Sequence, residues 1–157
     1  MRTAAGLALA GFALVLAGSA GASRGTIVVA TTATNAHVRG ADVELARAIA
    51  NALGYRVSLV DVSQDAIVPG LASGRLDLGL SLVDTPARER AVDVVTYRSN
   101  AAKVLYGIAS PKGSELGGEV LGALRMLVAD GTYRGILAKW GLQTGAVAAP
   151  RLDPAGA

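Results

Sequence analysis

The apolar pattern changes its period several times between residues 26 and 140, and this change limits the folds that the chain can adopt. Short runs of β-branched and aliphatic residues, such as Thr26–Ala30, alternate with longer stretches in which apolar residues recur every three or four positions. Strands that alternate with helices in this way build layered domains in which a sheet packs against helices. The pattern therefore predicts an α/β fold.

We expect three strands joined by two helices in the first half of the chain. The predicted strands are Thr26–Ala30, Arg56–Val62 and Leu76–Leu82. The first helix has Asp42 near its start and stops at Gly54, and the second helix covers Asp65–Ala72. Strand–helix–strand units form parallel sheets with right-handed crossovers, so we expect a three-layer domain with a mostly parallel sheet and helices on both faces.

Two closing helices are expected in the second half, and Asp130-Gly131 separates them. Their apolar positions are Leu116, Val120, Leu124, Leu127, Val128, Ile136, Leu137 and Trp140. Residues 148–157 contain Pro150 and Pro154 and are expected to be a disordered tail. One domain is therefore predicted for residues 23–147, a length that can bury one core.

The first 22 residues have the three parts of a secretory signal. Met1-Arg2 is positively charged, Gly6–Ala17 is apolar, and Ala20-Gly21-Ala22 offers small residues for cleavage before Ser23. An uncleaved anchor is the alternative, although four glycines weaken it, namely Gly6, Gly11, Gly18 and Gly21. The chain has no cysteine, which excludes a lipid-modified cysteine at the junction. We therefore expect a signal peptide at residues 1–22 and a released periplasmic or extracellular protein.

Composition argues against several other classes of protein. The net charge is only +3 and the arginines are scattered, so no nucleic acid partner is expected. His37 is the one histidine, and we expect it in a loop without a metal or cofactor to bind. Gly79-Leu80-Ser81-Leu82-Val83 lacks the second glycine of the hydrolase elbow. We therefore expect no enzyme.

Binding chemistry is expected at the carboxyl ends of the strands, where an open α/β sheet leaves a crevice. The segments predicted to reach this edge are Thr31–Gly40, Ser81–Arg88 and Tyr97–Ala102. Thr85 fits a helix N-cap and Pro86 fits the first helical position, so Arg88 lies in the first turn, where an anion is favoured. The guanidinium matches a carboxylate through two parallel hydrogen bonds. From spacing alone, Arg88 could equally pair with Asp84 or Glu89 at the surface.

Four stretches in one order carry a resemblance to a known family. They are Gly40-Ala41-Asp42-Val43-Glu44-Leu45, Ser73-Gly74-Arg75-Leu76-Asp77, Thr85-Pro86-Ala87-Arg88 with Val92-Asp93, and Pro111-Lys112-Gly113 with Asp130-Gly131-Thr132-Tyr133 to Lys139-Trp140-Gly141. Together they resemble the family 3 extracellular solute-binding proteins, the amino-acid receptors of bacterial ABC importers. The resemblance implies a lobe like those of type II periplasmic binding proteins and transmembrane permease subunits as partners.

The resemblance also implies roles for individual residues. Arg88 would clamp the ligand's α-carboxylate, Thr85 and Ser81 would hydrogen-bond to the ligand, and Asp84 is a candidate for the ligand ammonium. Ser81 could equally bond to backbone, and Asp84 could equally cap a helix. The implied ligand is a polar amino acid or a similar small carboxylate.

The third and fourth of these stretches lie almost next to each other, whereas a whole second lobe separates them in the family. We expect that lobe to be absent near residues 102–107, between strands predicted at Tyr97–Val104 and Tyr106–Ser110. Since the second lobe normally encloses the ligand, its loss removes about half of the contacts. The alternative interpretation is therefore a folded remnant with little or no ligand binding, which forms a homodimer through its exposed face.

Overall fold

The computed structural model describes residues 23–32 and 35–153, so the expected signal peptide lies outside the described residues. Within this part the strands are β1 (Thr26–Thr31), β2 (Arg56–Asp61), β3 (Leu78–Val83), β4 (Val92–Ser99), β5 (Leu105–Pro111) and β6 (Ala146–Leu152). The helices are α1 (Ala36–Leu53), α2 (Gln64–Ala72), α3 (Pro86–Ala91), α4 (Glu115–Ala129) and α5 (Thr132–Lys139). None of these described helices is both long and apolar enough to cross a membrane.

The strands form one sheet in the order β2-β1-β3-β5-β4-β6. β1 pairs in parallel with β2 and β3, whereas β5 pairs antiparallel with β3 and β4, and β6 pairs antiparallel with β4. β1, β2, β3 and β4 therefore point in one direction and β5 and β6 in the other. The α/β class is confirmed, and the sheet is mixed because a short turn returns the chain directly from β4 to β5.

Helices cover both faces of the sheet, as the apolar pattern predicted. On one face, α1, α4 and α5 pack on the sheet around a large cluster that includes Leu45, Leu80 and Leu124. On the other face, Ile67 and Leu71 of α2 pack on a smaller cluster of strand residues. The two clusters place the sheet in the middle of three layers.

α1 begins earlier than the sequence predicted. Asn35 caps it, because its side-chain Oδ1 accepts hydrogen bonds from the backbone N–H groups of His37 and Val38 at 2.9 and 3.3 Å. The expected start near Asp42 is therefore wrong, and Asp42 lies inside the helix with none of its surface exposed. His37 belongs to the first turn of α1 and not to a loop. Gly54 ends the helix in the left-handed conformation, with φ of 78°, as predicted.

The predicted disordered tail is wrong for residues 148–152, because they belong to β6. Arg151 lies opposite Thr96 of β4, and Asp153 binds both backbone groups of Val94 at 2.7 Å. Pro150 fits because β6 lies at the edge of the sheet, where a strand can lack one backbone donor. Residues 154–157 lie outside the described residues.

A tight turn joins β4 to β5 in the region where we expect the second lobe to be absent. Asn100 organises the turn, since its backbone N–H donates to Val104 at 3.1 Å and its side-chain oxygen accepts from the Val104 N–H at 3.0 Å. Lys103 takes a positive φ of 62° to close the turn. The chain therefore passes from β4 to β5 within this lobe.

Candidate ligand-binding site

A cavity of about 730 Å³ opens at the carboxyl ends of β1, β3 and β4. Each of the three segments predicted to reach this edge contributes to its wall, through Thr32, Ser81 and Asn100 among others. The start of α2 adds Gln64, and the stretch after α5 adds Gly141 and its neighbours. Small-molecule sites have volumes of about 300 to 1,000 Å³, so the cavity has room for an amino acid.

A buried polar network lies behind the cavity wall and joins α1, β3 and β4. The carboxylate of Asp42 accepts hydrogen bonds from Ser81 Oγ and from the Tyr97 hydroxyl, both at 2.5 Å. Arg98 donates from Nη2 to Ser81 Oγ at 2.9 Å and from Nε to the Tyr97 oxygen at 3.4 Å. Ser81 and Tyr97 therefore connect the buried carboxylate of Asp42 to the buried guanidinium of Arg98.

Burial has the largest effect on the pKa values of Asp42 and Tyr97 in this network. It raises the pKa of Asp42, while the hydrogen bonds from Ser81 and Tyr97 and the charge of Arg98 act in the opposite direction. Burial also raises the pKa of Tyr97, and the adjacent Asp42 adds to that effect. Tyr97 therefore stays a neutral hydrogen-bond donor.

Ser81 has an unusual backbone that places it in this network. Its φ is 59°, a left-handed value that costs a non-glycine residue about 1–2 kcal/mol. The residue lies where the β3–β5 pairing shifts register between Gly79 and Leu82. Its carbonyl accepts a hydrogen bond from Gln64 Nε2 at 2.5 Å. The local bulge thus turns the Ser81 side chain toward Asp42 and its carbonyl toward α2.

Arg98 is a buried charged residue in the cavity wall. Its side chain packs over the ring of Tyr106, with the guanidinium carbon 4.0 Å from the ring centroid. Lys103 also lines the cavity, whereas no aspartate or glutamate does so among the described lining residues. The wall is therefore electropositive.

Arg88 lies next to the cavity, although it is not one of the described residues that line it. Its Nη1 donates to the carbonyl of Val83 at 2.8 Å and to Gln64 Oε1 at 3.4 Å. Thr85 caps α3, since its hydroxyl oxygen accepts from the Arg88 N–H at 3.3 Å. Because Val83 and Gln64 both line the cavity, Arg88 is held at its border.

Asp84 is placed differently from the other predicted residues and is not among the described lining residues. Its backbone N–H donates to Leu105 at 2.9 Å. Burial, followed by the charge and hydrogen bonding of Glu89, raises the pKa of the Asp84 carboxyl to about 6. The structure thus places Ser81 in the cavity wall and Arg88 beside it, with Thr85 bonded to the Arg88 backbone, and it brings Asp84 next to Glu89.

Residues 25–143 match the bacterial extracellular solute-binding proteins, family 3. The chain belongs to this family. The arginine-binding extracellular protein ArtP of Bacillus subtilis (strain 168) is 36% identical over 92 residues, which are 55% of this chain and 35% of ArtP. The chain therefore spans about a third of the length of that curated relative.

Solved structures of amino-acid-binding proteins share the fold. The arginine-bound form of domain 1 from TmArgBP is 26% identical with a TM-score of 0.53, over 66% of this chain and 94% of that one. The ancestral amino-acid-binding protein AncCDT-1, a precursor of cyclohexadienyl dehydratase, is 20% identical with a TM-score of 0.59, over 74% of this chain and 95% of that one. The single-lobe fold expected for a solute-binding protein of this family is therefore confirmed.

Sequence reasoning missed three residues of this solute-binding lobe that matter to the site. Arg98 and Tyr97 fall within a predicted strand, and Gln64 lies just outside a predicted helix. Asp42 was expected near a helix terminus, yet it is the acceptor at the centre of the buried network. The sequence offered one indication, namely that Arg98 is a charged residue in a predicted strand. A charged residue seldom lies in a buried strand without a partner.

Proposed function

We propose that this chain is an exported substrate-binding component of an ABC transporter that binds a polar amino acid or a similar small carboxylate for uptake. The observation that carries the proposal is the cavity at the carboxyl edge of the sheet, bordered by two arginines and by several neutral polar side chains. Arginine recognises a carboxylate through paired hydrogen bonds, and the crevice at this edge is the usual ligand site of open α/β sheets. These groups support a binding role.

Arg88 is the proposed anchor for the ligand carboxylate. Its Nη1 is held by Val83 and Gln64, while Nη2 and Nε make no hydrogen bond with any described residue, which leaves one edge of the guanidinium for a ligand. Thr85 accepts from the Arg88 N–H and keeps its hydroxyl hydrogen for a ligand oxygen. Ser81 and Asp84 complete the proposed set. Ser81 takes part through the hydrogen bond that its hydroxyl oxygen accepts from Arg98, and Asp84 is the proposed partner for a ligand ammonium.

The names of the relatives support an amino acid as the ligand. ArtP is described as arginine-binding, and domain 1 from TmArgBP is described in an arginine-bound form. The latter is a single domain, which supports ligand binding by one lobe. The proposed partners are the transmembrane permease subunits of the importer, and the proposed location is the periplasm or the extracellular medium.

A single lobe should bind more weakly than a closed pair of lobes. A dissociation constant of about 1 µM for a two-lobed protein corresponds to a binding free energy of about −8 kcal/mol. Loss of half the contacts would raise the dissociation constant to about 1 mM, because the entropic cost of association does not shrink with the contacts. We therefore expect a dissociation constant in the range of about 0.1 to 10 mM.

Calorimetric titration with polar, acidic, basic and aromatic amino acids tests the proposal. Saturable binding of at least one amino acid is expected, and Arg88→Ala should weaken it at least about tenfold, since a charged hydrogen bond is lost. Arg90→Ala on the exposed side of the same helix is the matched control and should bind like the parent. The fold of each variant is checked by its thermal unfolding. Unchanged binding in a folded Arg88→Ala protein contradicts the site, and no binding up to about 10 mM favours the folded remnant.

A further inference from the structure

Arg98 is a buried cation with unused hydrogen-bonding capacity toward the cavity. Its residue is 6% exposed, and it lines the cavity wall at the end of β4. Nε and Nη2 donate to Tyr97 and Ser81, whereas Nη1 makes no hydrogen bond with a described residue. A guanidinium carries five N–H donors, so several remain for a ligand.

Ser81 cannot serve as the first donor to a ligand on this side of the cavity. Its hydroxyl hydrogen points to Asp42 Oδ2 at 2.5 Å, and its oxygen accepts from Arg98 Nη2 at 2.9 Å. The Tyr97 hydroxyl donates to Asp42 in the same way. Because both hydroxyl hydrogens are directed at Asp42, the donors left at this point belong to Arg98.

The network also fixes the orientation of Arg98. Two oxygens hold its guanidinium from one edge, and the ring of Tyr106 lies against its face at 4.0 Å. A charged group held in this way needs no reorganisation when an anion arrives, which favours binding. Asp42 balances the charge from behind Ser81 and Tyr97 and is not among the described lining residues.

Arg88 supplies a second cation on the same side. Gln64 connects the two arginines, because its Oε1 accepts from Arg88 Nη1 at 3.4 Å and its Nε2 donates to the Ser81 carbonyl at 2.5 Å. Ser81 in turn accepts from Arg98. The two guanidinium groups therefore flank one short polar wall made of Gln64 and Ser81.

The described lining residues offer no carboxylate to a ligand with a cationic side chain. The described lining residues include Arg98 and Lys103 as cations and no carboxylate as a counterpart. A cationic side chain that reached this wall would lose water without gaining an opposite charge, which is unfavourable. The wall thus discriminates by charge.

We propose that the cavity selects ligands with two carboxylates, namely acidic amino acids or simple dicarboxylates, and that Arg98 is the residue that determines this selectivity. This inference rests on the proposed function, because Arg88 holds the first carboxylate there. Arg98 holds the second carboxylate through Nη1. The ligand class therefore differs from the arginine named for the relatives.

Titration of four ligands by calorimetry tests the inference, with the full chain expressed and the protein purified as the host exports it. L-glutamate and glutarate carry two carboxylates, L-glutamine is the neutral analogue of glutamate, and L-arginine carries a cationic side chain. Glutamate should bind about tenfold or more tightly than glutamine, and arginine should bind weakest. Similar binding of glutarate would assign dicarboxylates in general, while loss of binding without the ammonium would assign acidic amino acids.

Arg98→Gln should reduce the preference for glutamate over glutamine to about twofold or less, with glutamine binding retained. That change leaves the Asp42 carboxylate buried without the guanidinium that balances its charge. The double variant Asp42→Asn/Arg98→Gln removes both charges and should give the same result. Arg125→Gln on the exposed face of α4 is the control for charge and should keep the preference.

The outcomes separate the inference from the function on which it rests. Binding of glutamine or arginine as tight as that of glutamate overturns the inference and leaves an amino-acid-binding protein in place. A glutamate preference that survives in either folded variant also overturns it. If none of the four ligands binds but another amino acid of the wider titration does, the inference alone fails. If no amino acid binds at all, the proposed function fails as well.

Discussion

Asp84 and Glu89 bring two carboxyl groups together where β3 leads into α3, and this pair should make stability depend on pH. Burial and the adjacent Glu89 raise the pKa of Asp84 from 3.8 to about 6. A raised pKa means that the native state binds the proton more tightly than the unfolded chain. The stabilising contribution is therefore complete below about pH 4 and is lost as the pH rises toward 6. We expect Asp84→Asn to raise the free energy of unfolding at pH 7 by about 1 kcal/mol, after allowance for solvent screening.

Urea unfolding at pH 4 and at pH 7 checks this prediction. The gain from Asp84→Asn should be present at pH 7 and should vanish near pH 4, where the parent carboxyl is already protonated. Asp65→Asn makes the same charge change at an exposed site on α2, and it should give no comparable gain. A loss of stability in Asp84→Asn at pH 7 would show that the ionised carboxylate is needed there.

The difference between Thr85 and Arg98 shows which site residues a sequence can predict. Thr85 caps α3 through a hydrogen bond to a residue three positions later, so local spacing was enough to predict that contact. Arg98 acts through Ser81, Asp42 and Tyr106, and two of these partners lie far from it in the chain. Such contacts depend on strand register and on the bulge at Ser81, neither of which the apolar pattern encodes.

At the level of helices, the contact between α1 and the end of α5 depends on the lack of a side chain at Gly40. A Cβ placed on Gly40 would overlap the indole ring of Trp140. We expect Gly40→Ala to lower the free energy of unfolding by about 1–3 kcal/mol, although alanine favours a helix more than glycine does, because the ring has to move. The emission of Trp140, the one tryptophan of the chain, should change in the folded variant.

Gly122→Ala is the matched control for this substitution. Gly122 lies within α4, and a Cβ there would meet nothing within 4 Å. Relief of the glycine entropy should then stabilise the protein by up to about 1 kcal/mol. Equal stabilisation by both substitutions, measured by thermal unfolding, would contradict close packing of α1 against Trp140.

Sequence reasoning located the elements that have a clear apolar period, but it misplaced β4 and missed β6, which has no such period. Strands β1, β2 and β3 and helices α4 and α5 were predicted near their observed positions. The strand predicted at Tyr97–Val104 is wrong for its second half, because β4 covers Val92–Ser99 and the turn to β5 follows it. β6 has the sequence Ala-Val-Ala-Ala-Pro-Arg-Leu, which is short of β-branched residues and contains a proline. It forms because β4 offers a free edge. The Val147 N–H donates to the Tyr133 hydroxyl at 2.9 Å, and that hydroxyl donates to the Tyr97 carbonyl on β4. Tertiary contact therefore decides this strand.

In the lobe as a whole, hydrogen bonds within the chain stabilise the turn from β4 to β5. Asn100 makes both hydrogen bonds that define the turn, and its side-chain nitrogen also donates to the Tyr106 hydroxyl at 3.3 Å. Strand β6 covers the β4 edge next to it. Sequence comparison predicted where a second lobe is expected to be absent, whereas the contacts that complete the remaining lobe are visible only in the fold.

These closing contacts lead to a prediction about the assembly of the whole molecule. The exposed large apolar side chains of the described residues are Leu105, Met126 and Leu152, which lie on three different elements, β5, α4 and β6. Stable self-association needs one continuous apolar patch, and scattered apolar side chains are normal for a monomer. We therefore expect a monomer at concentrations up to about 100 µM in light scattering coupled to size-exclusion chromatography.

A dimer that dissociates when Leu105 is changed to Lys would instead support the homodimer hypothesis. Met126→Lys on α4, at the most exposed of the three side chains, provides the comparison for a non-specific effect of charge.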